Sequence, residues 1–293
     1  MTSFALLLNR DPDGLAHAVA ARLITRLVDV QSTGKVAQVV LTGGRVASAV
    51  YRAVAESPAR TAIDWQRVEF WWGDERFLPD GDPERNETQA RDALLSKVDV
   101  DPAKVHPMAA DTGQGPEAAA AAYAEELSAA AGAARTEGAP RAASVSGAGS
   151  AEGELSAAAT SRAEGADSGA GRADAEVRVP VFDLLMLGVG PDGHVASLFP
   201  DHPELAVDDR SAVAVHDSPK PPPTRISLTF PALARAEEVW FVVAGEDKAD
   251  AVNQALTGDT VPASRPEGLS RTLWLLDDAA AAQLADDTRS PRA

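Results

Sequence analysis

Short apolar runs and amphipathic segments alternate along most of the chain. The runs are continuous, which is typical of strands buried on both faces of a parallel sheet. They lie at residues 4–8, 36–41, 68–72, 183–187, 238–244 and 273–276. Apolar residues at three- and four-residue steps predict helices at residues 14–30, 46–56, 86–95, 117–131, 248–256 and 279–285. Strands that alternate with helices predict an α/β fold, with a mostly parallel sheet and helices on both of its faces.

One long segment departs from this pattern. Residues 133–178 are rich in Ala, Gly, Ser and Glu, with no aromatic residue and almost no large aliphatic one. Such a segment cannot bury enough apolar surface to offset the entropy lost on ordering. The alternation of strands and helices resumes after it. We therefore predict a single domain over residues 1–293 that carries a low-complexity, disordered insertion at 133–178.

Composition narrows the range of partners. The net charge of −17 and the pI near 4.7 argue against nucleic acid, because phosphate backbones are bound by clustered Lys and Arg. A small anionic substrate is compatible with this charge, since a few arginines can focus a local positive field. The chain has no cysteine, which excludes a disulfide framework and a cysteine nucleophile. No apolar run approaches the ~20 residues of a membrane span, so we expect a cytoplasmic protein.

The stretch at residues 183–203 carries the strongest chemical signal. Its apolar run ends in a turn that holds three glycines, Asp192 and His194. The glycines, at 188, 190 and 193, match the G-x-G-x-x-G fingerprint of dinucleotide-binding loops, and Asp217 follows downstream. That fingerprint requires a long crossover helix, whereas Pro200 and Pro203 interrupt this stretch. Asp192 with His194 instead indicates proton transfer near neutral pH.

Polar groups also follow three other predicted strands. The run 36–41 ends in a Thr-Gly-Gly-Arg turn, the run 68–72 leads to Asp-Glu-Arg, and the run 238–244 leads to Lys248 in the first turn of a helix. Arg225 opens an alternating strand directly after rigid prolines. Because the carboxyl ends of parallel strands share one edge, these groups are expected to converge. A glycine turn beside Arg and Lys indicates phosphate recognition, although each turn alone is also typical of an ordinary loop.

Five blocks of sequence together resemble the 6-phosphogluconolactonases. They are L-T-G-G-R, W-W-G-D-E-R-F-L-P, L-G-V-G-P-D-G-H-V-A-S-L-F-P, P-x-x-R-I-S and A-G-E-D-K, in this order along the chain. The D-G-H block is highly specific, whereas the glycine and lysine blocks are weak alone. The resemblance implies a Rossmann-like α/β fold shared with glucosamine-6-phosphate deaminases and ribose-5-phosphate isomerases. It also implies hydrolysis of 6-phospho-D-glucono-1,5-lactone in the pentose phosphate pathway, without a cofactor or a metal.

Two positions separate the related enzymes. Glucosamine-6-phosphate deaminases resemble D-G-H-I-A-F-N-E-P, with a glutamate where this chain has Phe199. They also tend to have tyrosine where this chain has Arg76. Both differences favour a lactonase. A deaminase or isomerase on the same fold and a non-catalytic sugar-phosphate sensor remain the alternatives, and fold alone cannot choose between them.

The resemblance assigns roles that we treat as predictions. His194 acts as general base, Asp192 orients the imidazole or its loop, and Arg76 or nearby backbone N–H groups stabilise the oxyanion. The two-residue spacing does not guarantee a direct bond between Asp192 and His194. The predicted substrate and phosphate contacts are Thr42, Gly43, Gly44, Arg45, Asp74, Glu75, Asn86, Gly190, Ser197, Arg225 and Lys248. Asn86 is equally suited to cap the helix that it begins. A monomer or a small homo-oligomer is expected.

Overall fold

The computed structural model describes residues 3–137, 177–258 and 261–285. Its strands are β1 (Ser3–Asn9), β2 (Ala37–Leu41), β3 (Val68–Trp72), β4 (Asp74–Arg76), β5 (Leu184–Leu187), β6 (Ala212–Val215), β7 (Arg225–Leu228), β8 (Glu238–Val243) and β9 (Arg271–Asp277). Its α-helices are α1 (Pro12–Ser32), α2 (Arg45–Glu56), α3 (Asn86–Ala93), α4 (Pro116–Glu137), α5 (Phe230–Leu233) and α6 (Ala249–Thr257).

Six strands form one sheet in the order β1-β9-β8-β5-β2-β3, and every pair in it is parallel. Strand β5 shows why its sequence is continuously apolar. Leu184 and Met186 pack into the core on the α1–α2 side, whereas Leu185 and Leu187 pack into the core on the α4–α6 side. Side chains alternate across a strand, so a strand covered on both faces has no polar position. The predicted α/β fold with helices on both faces is confirmed.

Local signals explain where the first helix begins. Asp11 precedes α1 and its side chain accepts a hydrogen bond from Gly14 N at 2.8 Å. Pro12 occupies the first helical turn, where its missing N–H costs no hydrogen bond. The buried face of α1 then follows the predicted spacing through Leu15, Val19 and Leu23. Capping and periodicity therefore agree in this part of the chain.

A second, antiparallel sheet lies beyond the carboxyl edge of the first and was not predicted. Its order is β4-β7-β6, with Asp74 opposite Ser227 and Arg76 opposite Arg225. Strand β4 consists of three charged residues, which show no strand periodicity in the sequence. Gly73 separates β3 from β4 and leads the chain from one sheet into the other. The Asp-Glu-Arg segment, for which an ordinary loop was the alternative to a functional site, is therefore a short strand.

The structure differs from the sequence-based prediction in three further places. The predicted terminal helix at 279–285 does not form, and Asp277 accepts a hydrogen bond from Ala280 N in a run of turns. Helix α4 continues to Glu137, inside the predicted insertion, whose residues 138–176 lie outside the described residues. Arg85, not Asn86, occupies the capping position of α3. In the part of the chain that the structure describes, none of the helices has both the length and the apolar character that a membrane span requires.

Candidate active site

A cavity of about 260 Å³ opens at the carboxyl ends of the parallel strands. The turns after β2, β5 and β8 contribute to its wall, together with β4 and β7 of the small sheet. It brings together eleven of the fourteen predicted site residues: Thr42, Gly43, Gly44, Arg45, Asp74, Arg76, Asn86, Gly190, His194, Arg225 and Lys248. Convergence at this edge follows from the shared direction of the strands.

Asp192 and His194 form a direct hydrogen bond. The distance from His194 Nδ1 to Asp192 Oδ1 is 2.5 Å. A carboxylate accepts only, so Nδ1 carries the proton and the lone pair of the neutral ring lies on Nε2. Nε2 has no hydrogen-bond partner among the described residues, and His194 lines the cavity. The ring therefore presents a basic nitrogen to the cavity.

The turn around this pair depends on the glycine at 190. Gly190 N donates to His194 O at 2.9 Å, and Gly193 N donates to Gly190 O at 2.9 Å. A Cβ at Gly190 would lie 2.0 Å from His194 Nδ1 and 2.4 Å from Asp192 Oδ1. Residues 188–229 contain no α-helix, so the crossover that a dinucleotide-binding fingerprint needs is absent from them. The glycine turn instead makes room for the histidine and its carboxylate.

Burial and charge set the protonation of the pair. Burial lowers the pKa of His194, although the hydrogen bond to Asp192 and its negative charge act in the opposite direction. Burial alone would raise the pKa of Asp192, but the hydrogen bond with His194 and the positive charge of Lys220 hold that pKa below its usual range. At neutral pH the imidazole is therefore neutral and the carboxylate is ionised.

The Phe199 ring packs against the His194 ring at an interplanar angle of 45°. The two ring centroids are 4.4 Å apart, and the Phe199 side chain is fully buried. The guanidinium carbon of Arg225 lies 5.8 Å from the centre of the same phenyl ring. Phe199 is the position where the resemblance described above leads us to expect a glutamate in a deaminase, and in this chain an apolar ring lies there beside the imidazole. A second carboxylate for proton relay is missing at that position.

The start of helix α2 supplies groups for an anion. Gly44 precedes the helix with a φ of 97°, and no side chain caps its first N–H groups. Gly43 contacts Asn86 so closely that a Cβ would lie 1.8 Å from Asn86 Oδ1. Arg45 is exposed at the first helical position. Uncapped N–H groups beside an arginine are suited to a phosphate.

Lys248 and Arg225 are held differently from each other. Lys248 precedes α6, in place of the predicted first turn, and its Nζ lies 2.9 Å from Asp247 Oδ2. Arg225 is almost fully buried, and its Nε and Nη2 donate to the carbonyl oxygens of residues 220–222 at 3.2–3.3 Å. Its Nη1 lies 3.9 Å from Asp74 Oδ2. Arg225 therefore fixes the proline-rich loop at 218–223 as well as lining the cavity.

Lys220, in that loop, lines the cavity but was not among the predicted residues. Its Nζ lies 3.9 Å from Asp192 Oδ1. The signal in the sequence was a single lysine among the prolines that precede Arg225. Rigid prolines fix the backbone of a loop, so a cation between them is held near one place.

Two predicted residues lie behind the cavity wall. Ser197 is fully buried, and its hydroxyl donates to Asp74 Oδ2 at 2.6 Å. Glu75 is fully buried and accepts hydrogen bonds from the backbone N–H groups of Arg76, Asn86 and Glu87. Burial raises the pKa of Glu75 to about 7. Neither residue lines the cavity. Both were predicted to contact substrate, but here their hydrogen bonds support the cavity wall.

Asp74 is the centre of this supporting network. Asn86 Nδ2 donates to Asp74 O at 2.8 Å and to Asp74 Oδ1 at 3.2 Å. Ser197 N also donates to Ser227 Oγ at 3.2 Å. The loop that follows His194 is therefore bonded to both β4 and β7. Asn86 Oδ1 is buried without a partner among the described residues.

Replacing Ser197 by alanine is expected to destabilise the protein by about 1–3 kcal/mol, because buried Asp74 Oδ2 loses its short hydrogen bond. The free energy of unfolding in urea measures this effect. Ser96→Ala, at an exposed serine with no side-chain contact among the described residues, is the matched control. Equal unfolding free energies for both variants would contradict the assigned role.

The sequence model of the family described as glucosamine-6-phosphate isomerases/6-phosphogluconolactonase matches residues 10–274. The chain belongs to this family. It is 50% identical over 285 residues to the 6-phosphogluconolactonase of Streptomyces coelicolor, covering 95% of this chain and 94% of that protein. The family identification rests on nearly the whole chain.

Solved structures agree with this assignment. The crystal structure of the Thermotoga maritima 6-phosphogluconolactonase has a TM-score of 0.69 with 25% identity, over 94% of this chain and 100% of that one. A monomeric glucosamine-6-phosphate deaminase is 15% identical, with a TM-score of 0.65 over 96% of this chain and 99% of that one. The second likeness concerns the fold alone, and it confirms that this fold is shared with a deaminase.

Proposed function

We infer that this chain is an enzyme that hydrolyses 6-phospho-D-glucono-1,5-lactone to 6-phospho-D-gluconate, a reaction of the pentose phosphate pathway, and we propose that His194 is its general base. The lactonase activity follows from the family and from relatives such as the Streptomyces coelicolor enzyme. The observation that carries the catalytic role is the Asp192–His194 pair, whose imidazole lines a cavity that also holds several cations.

The proposed reaction proceeds by addition and elimination. Nε2 of neutral His194 takes a proton from water as the water oxygen bonds to the lactone carbonyl carbon. The carbonyl electrons move to the oxygen, which becomes an oxyanion. When the carbonyl reforms, the bond to the ring oxygen breaks and the imidazolium returns its proton to that oxygen. Asp192 stabilises the imidazolium in between and fixes the ring by its 2.5 Å hydrogen bond. The acid product ionises and releases one proton to solvent.

The 6-phosphate is proposed to bind at the start of α2. Gly43, Gly44 and Arg45 offer N–H groups and a guanidinium there, and Lys248 and Arg225 line the same cavity. This geometry matches the positive end of a helix with flanking cations. The cytoplasmic location and the oligomeric state expected from the sequence stay predictions.

The function is tested by comparing two substrates. Hydrolysis of the phosphorylated lactone, coupled to oxidation of 6-phosphogluconate, is expected well above the spontaneous rate. No ammonia is expected from glucosamine 6-phosphate, because Phe199 replaces the carboxylate that ring opening uses in deaminases. Ammonia release without lactone hydrolysis would reassign the chain to the deaminases. Binding of the sugar phosphate without turnover of either substrate would make it a sensor.

The acid limb of kcat/KM is expected below pH 6.5, the ordinary value for histidine, because burial lowers the pKa of His194. His194 must be neutral to accept a proton, so activity is full at neutral pH and is lost as pH falls through this lowered pKa. Steady-state rates in a pH-stat, corrected for spontaneous hydrolysis, measure the limb.

The Asp192→Asn variant tests whether Asp192 raises or lowers the pKa of His194. The variant removes a hydrogen bond to the carboxylate and a negative charge, both of which raise the pKa of His194, so the acid limb is expected to move to lower pH. kcat is also expected to fall, because the imidazole loses its charged partner. Asp208→Asn, at an exposed aspartate without a contact among the described residues, is the control. A limb that moves to higher pH in Asp192→Asn would refute this coupling.

A further inference from the structure

The backbone of Lys220 is held by hydrogen bonds, whereas its ammonium group makes none among the described residues. Its carbonyl oxygen accepts hydrogen bonds from Ser218 Oγ at 2.9 Å and from Arg225 Nη2 at 3.2 Å, and its N–H donates to Ser218 Oγ at 3.3 Å. Nζ makes no hydrogen bond to any residue in the described part of the chain. The side chain is 39% exposed and lines the cavity. The loop at 218–223 therefore fixes the backbone position of Lys220, while the N–H donors of its ammonium group remain available to a ligand.

The other cavity cations have hydrogen-bond or ion-pair partners of their own, or lie at the start of α2. Arg225 uses Nε and Nη2 on the loop carbonyls, and Arg76 Nη1 donates to Glu84 O at 2.5 Å. Lys248 pairs with Asp247, and Arg45 is at the start of α2. Among the described cations, Lys220 alone lies within ion-pair distance of Asp192, at 3.9 Å.

Lys220 and His194 share one oxygen atom. Asp192 Oδ1, which accepts from His194 Nδ1, is also the oxygen that lies 3.9 Å from Lys220 Nζ. The positive charge of Lys220 accordingly lowers the pKa of His194. Lys220 lines the same cavity as His194, so its ammonium group is available to the carbonyl oxygen of a lactone bound there.

We propose that Lys220 is a further catalytic residue, which contacts the lactone carbonyl oxygen and stabilises the oxyanion that forms when water adds. The proposal rests on the proposed function and assigns to Lys220 the role first predicted for Arg76. Lys220 gives up no proton in this step. Its charge matters most when the negative charge develops, so it lowers the barrier more than it improves substrate binding. In the product, the same ammonium group faces the new carboxylate.

The test compares Lys220→Met with Lys248→Met and Lys97→Met in the lactone assay. Lys220→Met is expected to lower kcat at the alkaline plateau by at least about tenfold, with KM within about threefold. Lys248→Met is expected mainly to raise KM and to weaken competitive inhibition by inorganic phosphate. Lys97→Met, at an exposed lysine with no side-chain contact among the described residues, is the control. Lys220→Arg keeps the charge and is expected to recover part of the lost kcat.

Each other outcome overturns the proposal. A raised KM with unchanged kcat in Lys220→Met would make Lys220 a phosphate ligand. A shifted acid limb with an unchanged plateau would mean that it acts only through the Asp192–His194 pair. Wild-type kcat and KM in Lys220→Met would show that Lys220 has no catalytic role. An equal loss of kcat in Lys220→Arg and Lys220→Met would show that the positive charge is not what matters. Thermal unfolding of each variant shows whether the fold is kept. Absence of turnover by the wild-type enzyme is a separate result, which contradicts the function and not the residue.

Discussion

Replacing His194 by asparagine is expected to lower kcat by about 10²- to 10⁴-fold, the range that a positioned general base contributes. Asparagine has a similar width and its amide N–H can still donate to Asp192, but it has no basic nitrogen to accept a proton from water. KM is expected to change little, because the proposed phosphate contacts lie on other turns. Steady-state hydrolysis of the phosphorylated lactone, with the spontaneous rate subtracted, measures the loss.

His17→Asn is the matched control for this substitution. His17 is exposed on α1 and has no side-chain contact in the described part of the chain, so wild-type kinetics are expected. Circular dichroism and thermal unfolding of both variants separate lost chemistry from lost structure. If His194→Asn kept kcat within about threefold of the wild type, His194 could not be the base.

Gly190→Ala is expected to lower kcat by about 10²-fold, although no reacting group is changed. The added Cβ would lie 2.0 Å from His194 Nδ1 and 2.4 Å from Asp192 Oδ1. Contacts this short cannot persist, so the imidazole, the carboxylate or the turn must move, and a misplacement of about 1 Å is enough for such a loss. The kinetic assay and the NMR signals of the His194 ring report the displacement.

Gly188→Ala tests the same turn without the clash. No atom lies within 4 Å of a Cβ at Gly188, and the residue has no positive φ. Because Gly188 lines the cavity, any effect of this variant is expected in KM, with kcat and the His194 signals close to the wild type. Equal loss of kcat in both variants would show that the turn tolerates no side chain at all, and the specific packing argument for Gly190 would fail.

The role of glycine in the D-G-H turn differs from the one that its spacing first suggests. The pattern at 188, 190 and 193 fits a nucleotide loop in sequence, yet the structure uses Gly190 to admit the Asp192–His194 pair. Gly193 has a φ of 79°, and a Cβ there would lie 2.5 Å from Val261 Cβ. The glycines thus serve close packing of the chain on itself.

The sequence alone determined the parallel sheet and the edge at which the site forms. Continuous apolar runs such as Val68–Trp72 mark strands buried on both faces, and the direction of parallel strands forces their following turns to one edge. The Asp-Gly-His turn, the Thr-Gly-Gly-Arg turn and Lys248 could therefore be assigned to one cavity, where the structure places them.

Only the tertiary structure decided which polar residues face the cavity and which support it. Glu75 and Ser197 stand in the same motifs as their neighbours, but long-range hydrogen bonds turn them towards helix α3 and Asp74. Lys220 reaches Asp192 because Arg225 bonds to the loop carbonyls. Hydrophobic periodicity and turn residues are local properties of the sequence, so they determine where the strands, helices and turns form. The direction of a side chain at a strand end depends instead on partners distant in sequence, such as Asp74 for Ser197.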